Sequence, residues 1–401
     1  MTATGDVVVF DADHHLYETE DCFTRHLPDD LAGVIRYVQV RGRTKIVVRN
    51  MLSDFIPNPT FEVVARPGAT MAYYSGANVE GKSIRELIGD PIRCLPAFRT
   101  PQDRLELLDE LGIDAALMFP TLASLIEVNF LDLPSTTAKL LHAYNQWLLE
   151  DWTFNYHDRI FPTPILNPTV LDDALRELEF VLDHGAKVAL LRPGPVAGNP
   201  HTRSPFLPEF DPFWARVQEA GLVVAVHASD SGYQRYVNDW EGRDLEYSAF
   251  KPSPFALASM GARPIMDTML SAVCHGMLVR FPDVRLISVE NGGSWVIPTL
   301  KALDDVYRKL PQEFSEHPRD TFLRGVYVNP FWEDSIDALI DEIGADRVCF
   351  GSDYPHPEGL ADPLGWIGEL DHRTPEEIQR IMGGNMFELL GLRAPAPAAA
   401  P

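Results

Sequence analysis

The sequence predicts an α/β protein built as one (β/α)8 TIM barrel, on three observations. Eight short apolar segments rich in β-branched residues recur along the chain, helix-period segments separate them, and the turn after the first strand carries no glycine. Continuous apolar strands alternating with amphipathic helices describe a parallel sheet covered on both faces, and eight repeats is the number that closes a barrel. The rival architecture, an open doubly wound sheet, usually announces a glycine-rich phosphate turn after strand 1. Here that turn reads His14-His15-Leu16-Tyr17-Glu18.

Taken in order, the strands are expected at residues 7–13 (VVVFDAD), 115–121, 160–166, 187–194, 223–229 (VVAVHAS), 285–291, 325–331 and 348–356 (VCFGSDYPH). Apolar spacing at the helical period places helices over 101–111, 135–154, 171–184, 210–220, 271–281, 334–343 and 375–390. Two connections are too long for simple loops. Residues 19 to about 96 follow strand 1 and contain a hairpin-like stretch at 35–49, turning at Gly42-Arg43, and a Gly/Pro-rich piece at 67–81. Residues 230 to about 270 follow strand 5 and are aromatic and irregular. Insertions after barrel strands lie on the C-terminal face and can lid a site. A single barrel thus accounts for residues 1–392, and the low-complexity tail 393–401 (RAPAPAAAP) is expected to be disordered.

Charge narrows the partners. The chain has 34 Lys plus Arg against 58 Asp plus Glu, a formal charge of −24 over 401 residues, with no compensating basic stripe. Such an excess repels nucleic acid and anionic membrane surfaces. It also disfavours an anionic substrate unless a metal or a local cation reverses the field at the site. The four cysteines (Cys22, Cys94, Cys274, Cys349) form no CxxC pair, which argues against a disulfide framework or a cysteine-zinc site. The start has no basic region followed by an apolar one, so a cytoplasmic location is expected.

Polar residues at the C-terminal ends of barrel strands converge on one open face. Strand 1 ends in Asp11-Ala12-Asp13-His14-His15, and on a strand Asp13 and His15 point together while His14 points away. Alone, Asp13 also reads as a turn cap and His15 as a buried core residue. Strand 5 delivers His227, which alone reads as a satisfied core histidine, and strand 8 delivers Asp353, which alone reads as a helix cap. Jointly they supply a mixed nitrogen and oxygen donor set that suits one divalent metal, Zn2+ or alternatively Mn2+, with a position open for water.

These pieces, with Phe119-Pro120-Thr121, Val226-His227-Ala228, Ser288-Val289-Glu290-Asn291-Gly292-Gly293-Ser294-Trp295 and Phe350-Gly351-Ser352-Asp353-Tyr354-Pro355-His356, resemble the amidohydrolase superfamily. The likeness is to its metal-dependent, decarboxylase-like branch, which includes the aminocarboxymuconate semialdehyde, resorcylate and carboxyvanillate decarboxylases. The resemblance implies that Asp13, His15, His227 and Asp353 hold one divalent metal. It further implies that Asp353 also moves a proton or positions water, that Glu18 is a supporting carboxylate, and that the protein is a dimer or higher homo-oligomer. Two departures stand out. The strand 4 lysine, Lys187, sits at the start of its strand, which speaks against a lysine-bridged metal pair, and the histidine many members carry after strand 6 is replaced by Glu290-Asn291-Gly292.

His356, three residues past Asp353, is the residue that could substitute as proton carrier; otherwise it is a surface histidine. Arg192 closes strand 4 and either pairs with a substrate carboxylate or braces its own loop. Trp295 and Asn291, after strand 6, are candidate substrate-binding residues, as is His356; Trp295 could wall the pocket, as could Trp332 after strand 7, and packing is the alternative for each tryptophan. His142, His184, His275 and His372 read as helix-surface or capping residues, and His201 and His317 as loop residues.

The expected activity is that of a carboxy-lyase acting on an aromatic or unsaturated carboxylic acid. The alternative is a hydrolase of an ester, lactone or amide that uses a metal-activated water. A noncatalytic ligand-binding barrel, the third reading, predicts no metal and tolerance of substitution at His15 and His227.

Overall fold

The computed structural model describes residues 7–53, 55, 58–198, 201–245, 252–332 and 334–395. The extreme N-terminus, the middle of the strand 5 insertion and most of the expected tail lie outside the described residues.

Seven regular strands line the barrel: β1 (Phe10–Leu16), β2 (Ala115–Pro120), β3 (Ile160–Pro162), β4 (Val188–Leu191), β5 (Val223–His227), β6 (Leu286–Val289) and β7 (Val326–Val328). They pair in parallel as β1-β2-β3 and as β4-β5-β6-β7. Single bridges join the two arcs into a ring. Ile165 pairs with Leu190 between the third and fourth positions, Val328 with Val348, and His14 with Tyr354. Backbone bonds reinforce the last two seams, with Cys349 N donating to Val328 O at 2.9 Å and His15 N to Tyr354 O at 2.8 Å. Residues 348–354 therefore take the eighth position between β7 and β1, and the barrel closes.

Closure by single bridges has a local cause. Pro162 and Pro164 remove donors from the third strand, and Asp353 leaves extended geometry at φ 57° in the eighth. β1 starts and ends three residues later than expected, and its pairing with β2 runs on through His14, His15 and Leu16; its register shifts between Asp11 and His14.

The outer helices that follow these strands are α1 (Pro101–Leu111), α2 (Pro134–Trp152), α3 (Leu171–Asp183), α4 (Asp211–Ala220), α5 (Arg263–Cys274), α6 (Val296–Lys309) and α7 (Ile336–Ile343). Thr100 caps α1 by accepting from Asp103 N, and Gly112 ends it in the left-handed region. α5 begins earlier than the helix expected at 271–281, and Gly276 at φ 71° separates it from the turn Met277–Arg280. α6 was not expected from the pattern. Pro298 lies in its first turn, where a missing N–H costs nothing.

After the eighth position comes the helix expected at 375–390, interrupted by a π-helical turn at Arg380–Gly384. That turn leaves Ile381 O free to accept from Phe350 N at 2.9 Å, and a Cβ on Gly383 would sit 2.4 Å from Val8 O. The terminal helix thereby seals against β1. Phe10 stacks on Phe161 and meets Phe387 edge-on, and each such fully buried ring contributes roughly 1.5–3 kcal/mol.

In the first insertion, Ile35–Val40, Arg43–Val48 and Met51–Ser53 form an antiparallel sheet. Its first turn is centred on Arg41 and Gly42, both at positive φ, one residue earlier than expected. The insertion after β5 is partly helical, over Gln234–Glu241 and Pro254–Met260. Among the described residues no helix is long and apolar enough to cross a membrane.

Candidate metal centre

Alternation along β1 sends neighbouring side chains to opposite destinies. His14 turns into a closed polar layer, with Nε2 2.9 Å from Asp11 Oδ2 and Nδ1 3.0 Å from Arg104 Nη1. Arg104 also donates to His15 O (2.7 Å) and Ala97 O (2.6 Å), while Asp11 Oδ1 accepts from Asp13 N (3.0 Å) and Ser352 N (2.9 Å). This layer pins the end of β1 to the eighth strand position.

Asp13 and His15 face the other way, into a cluster. His15 Nε2 lies 3.5 Å from Asp13 Oδ1, 3.5 Å from Glu290 Oε2 and 3.3 Å from Asp353 Oδ1. His227 Nε2 lies 3.1 Å from Glu290 Oε2 and 3.6 Å from Asp13 Oδ1. His356 stacks on His15 with ring centres 3.8 Å apart, and its Nδ1 lies 2.7 Å from Asp353 Oδ1.

Three overlapping donor sets result: Asp13, His15, His227 and Glu290; His15, Asp353 and His356; and Glu290, Asp353, His356 and Glu358. Within each, the donor atoms lie no more than 4.8 Å apart.

Hydrogen bonding at the far side of the rings fixes where the lone pairs are. His227 Nδ1 is 2.7 Å from Ala228 O, so the proton sits there and Nε2 presents a lone pair to the carboxylates. His356 Nε2 is 3.0 Å from Thr121 Oγ1, whose hydroxyl donates to Leu16 O, so its Nδ1 is likewise the acceptor.

Asp13 Oδ1, His15 Nε2, His227 Nε2, Asp353 Oδ1, His356 Nδ1 and Glu358 Oε2 are all buried without a hydrogen-bond partner. Buried lone pairs facing one another are costly unless a cation sits among them. Metal bonds of 2.0–2.1 Å in a tetrahedral arrangement put donors about 3.3 Å apart. The spacings within the first set match that, so its residues fit a divalent cation.

Without a cation the titrations are pulled apart. Burial lowers His15, but the Asp13 and Glu290 carboxylates outweigh it and hold the imidazole at about 9. Burial raises Asp13, yet His15 and His227 keep it below the ordinary carboxylate value. Burial, together with the charges of Glu290, Glu358 and Asp13, pushes Asp353 well above that value. Burial and the neighbouring His15 and His227 push His356 well below the usual imidazole range. Burial and Glu290 raise the Glu358 carboxyl to about 7. Two of these carboxylates also sit on strained backbone, Glu290 at φ 55° and Asp353 at φ 57°, at a cost of about 1–3 kcal/mol each.

The strand 1 insertion reaches this rim. Gly68 N donates to His356 O and Thr70 N to Pro357 O, and the Tyr74 phenol is raised by burial and by the charges of Glu358, Asp353 and Glu290. Trp332 Nε1 donates to Glu358 O at 3.0 Å, from the loop after β7.

The structure thus gathers Asp13, His15, His227, Asp353 and His356 in one place. Four other residues are engaged elsewhere. Glu18 Oε1 accepts from Leu122 N (2.8 Å) and Ala123 N (2.9 Å), clamping the loop after β2.

Arg192 corrects the expectation that it pairs with substrate. Its Nε donates to Glu127 Oε1 at 2.8 Å, Nη1 to Ser231 O at 2.7 Å and Nη2 to Pro195 O, so the guanidinium braces its own corner. Trp295 is likewise packing rather than pocket wall, at 1% exposure with Nε1 donating to Gly292 O and its ring against Phe322. Asn291 ties β5 to β6 by donating to Val226 O (3.0 Å) and Val289 O (2.7 Å), which uses the amide expected to touch substrate.

Glu290 and Glu358 were not singled out from the sequence. Glu290 stands in the sequence at the place of a missing histidine, and its position at the end of a barrel strand is the signal that points to it.

The amidohydrolase family model matches residues 11–392. An amidohydrolase from Mycobacterium avium subsp. paratuberculosis K-10 superposes with a TM-score of 0.90 at 35% identity, covering 96% of this chain and 100% of that one. A 5-carboxyvanillate decarboxylase from Novosphingobium aromaticivorans, solved with bound manganese, superposes with a TM-score of 0.60 at 16% identity over 97% of this chain and 98% of its own. That likeness is one of fold. A curated relative, the 2-amino-3-carboxymuconate-6-semialdehyde decarboxylase of Dictyostelium discoideum, is 23% identical over 197 residues, or 46% of this chain and about half (49%) of the relative. With a closed barrel, donors on the ends of β1, β5, β6 and the eighth position, and a family match across almost its whole length, the chain belongs to the amidohydrolase family.

Proposed function

We propose that the chain is a metal-dependent carboxy-lyase that decarboxylates an aromatic or unsaturated carboxylic acid. The observation that carries this reading is the Asp353–His356 pair beside the set Asp13, His15, His227 and Glu290. That set would hold one divalent cation, which when bound polarises the substrate carboxylate and an adjacent oxygen. Four carboxylates, Asp13, Glu290, Asp353 and Glu358, crowd the cluster where the sequence points to Asp13 and Asp353. The carboxylates crowded around the cluster favour Mn2+ over Zn2+, and two decarboxylases of similar fold were solved with manganese.

The protein's own part is proton delivery. Asp353, with its carboxyl raised by burial and by neighbouring acids, gives its proton to the carbon bearing the substrate carboxylate. The carbon–carbon bond then breaks, CO2 leaves, and the bonding pair restores the ring. His356, anchored through Nε2 on Thr121, holds Asp353 from the far side. Phe119, stacked on His227 at 4.2 Å, keeps that ligand's ring in place.

Hydrolysis is disfavoured by one feature. A histidine after strand 6 would help to stabilise a tetrahedral oxyanion, and Glu290 presents a carboxylate there instead.

The metal-loaded protein should release CO2 from a hydroxybenzoate panel and leave esters and lactones intact. Asp353→Asn should cut that rate by about 10²–10⁴ with metal content unchanged. Full activity in this variant, or ester cleavage without CO2, would refute the reading.

A further inference from the structure

Arg192, the strand 4 candidate for pairing with a substrate carboxylate, is engaged within the protein. Arg104, the other buried arginine beside the cluster, is held by Ala97 O, His15 O and His14. Carboxylates crowd both groups: Glu290, Glu358 and Asp13 act on Asp353, and Glu290 acts on Glu358 more strongly than the opposing His15. Glu358 Oε2 is buried and unpartnered, with the Glu358 carboxylate within 4.8 Å of the Glu290, Asp353 and His356 donor atoms. Its position is held from the main chain, since Trp332 Nε1 donates to Glu358 O and Thr70 N to the preceding Pro357 O.

We infer that Glu358 is a specificity-determining residue whose free carboxylate oxygen accepts a hydrogen bond from a hydroxyl or amine of the substrate, so that the site takes a monocarboxylate bearing such a donor and rejects dicarboxylates. This rests on the cluster being the substrate site, as proposed above. The physical reason is additive. One carboxylate of the substrate can meet the metal, but a second would face Glu358 or Glu290 with both buried arginines among the described residues, Arg192 and Arg104, already engaged, and like charges at this depth repel strongly. A hydroxyl or amine in the same place satisfies an acceptor that is otherwise buried and unmatched. The selectivity therefore differs from that of an enzyme for 5-carboxyvanillate, which carries two carboxylates, even though the barrel is shared.

The test is binding to the metal-loaded protein, read on mixing and before turnover. Dissociation constants are measured for 3- and 4-hydroxybenzoate, the matching methoxybenzoates and benzene-1,3- and 1,4-dicarboxylate, in wild type and Glu358→Gln, with metal equivalents determined in both. Wild type should bind at least one hydroxybenzoate about tenfold or more tighter than its methyl ether and than either dicarboxylate, the size expected for a hydrogen bond to a charged group. Glu358→Gln should shrink that preference, chiefly by tightening the dicarboxylates. Equal wild-type affinity for dicarboxylates overturns the inference, as does an unchanged preference in the variant. Loss of metal in the variant also overturns it, because Glu358 would then be a ligand. The two readings fail separately. Selective binding without CO2 release removes the reaction and leaves Glu358 its role, whereas CO2 release from dicarboxylates does the reverse.

Discussion

Two polar corners of the barrel rim are equally buried and opposite in character. At the end of β4, Arg192 is 3% exposed and each of its three guanidinium nitrogens donates to Glu127, Ser231 O or Pro195 O. At the ends of β1, β5 and the eighth position, His15 and His227 are 1% exposed, and their Nε2 atoms point at carboxylates without a hydrogen bond. Burial alone therefore does not mark a functional residue. What separates the corners is satisfaction: a buried polar group with all its partners stabilises the fold, and one left without them is waiting for something the chain lacks.

Substitutions at the two corners should fail in different ways. His227→Ala, at the unsatisfied corner, should lower the decarboxylation rate by on the order of a thousandfold, since several kcal/mol of charge stabilisation go with the metal. Its metal-free stability should fall less than that of Arg192→Ala, because Nε2 had no hydrogen-bond partner and only the Nδ1 bond to Ala228 O and the stack on Phe119 are lost; an equal drop in the metal-free unfolding midpoint would erase the distinction.

Arg192→Ala should do the converse and cost about 3–5 kcal/mol in urea unfolding, as Glu127 is left buried and unpaired. The folded fraction should still take up its metal. Loss of metal at unchanged stability would return Arg192 to the site.

The smallest effect is a pH dependence confined to the metal-free protein. His15 is held at about 9, above its unfolded value of 6.5, so its proton stabilises the fold fully below about pH 6.5. That contribution is lost as pH rises toward 9. Thermal midpoints of the chelated protein should therefore fall across this window, while those of the metal-loaded protein, whose His15 is already deprotonated, should not fall with them.

Much of the barrel was legible because its causes are local. Apolar β-branched runs mark strands wherever both faces are covered, and seven of the eight expected segments contain regular strands, with the eighth closing the ring by bridges. The pairing of Asp13 with His15, and the turning away of His14, follow from a period of two. The pattern misses α6 because Pro298 interrupts its first turn, and the helices within the strand 5 insertion because they are short. Glu358 was illegible for another reason: it lies in a loop with no period, and its inward position depends on Trp332 and on the insertion that carries Thr70.

Read as a chain of residues, this protein is determined as far as the order of its strands and helices and the residue types at the strand ends, since periodicity and side-chain chemistry belong to short segments. Which of those polar ends would be free and which consumed was decided only in three dimensions. Arg192 meets Glu127 from 65 residues away, and His15 meets Asp353 from the far end of the chain. Whether a buried polar atom finds a partner depends on what the closing barrel brings within about 3 Å of it, and no local pattern encodes that.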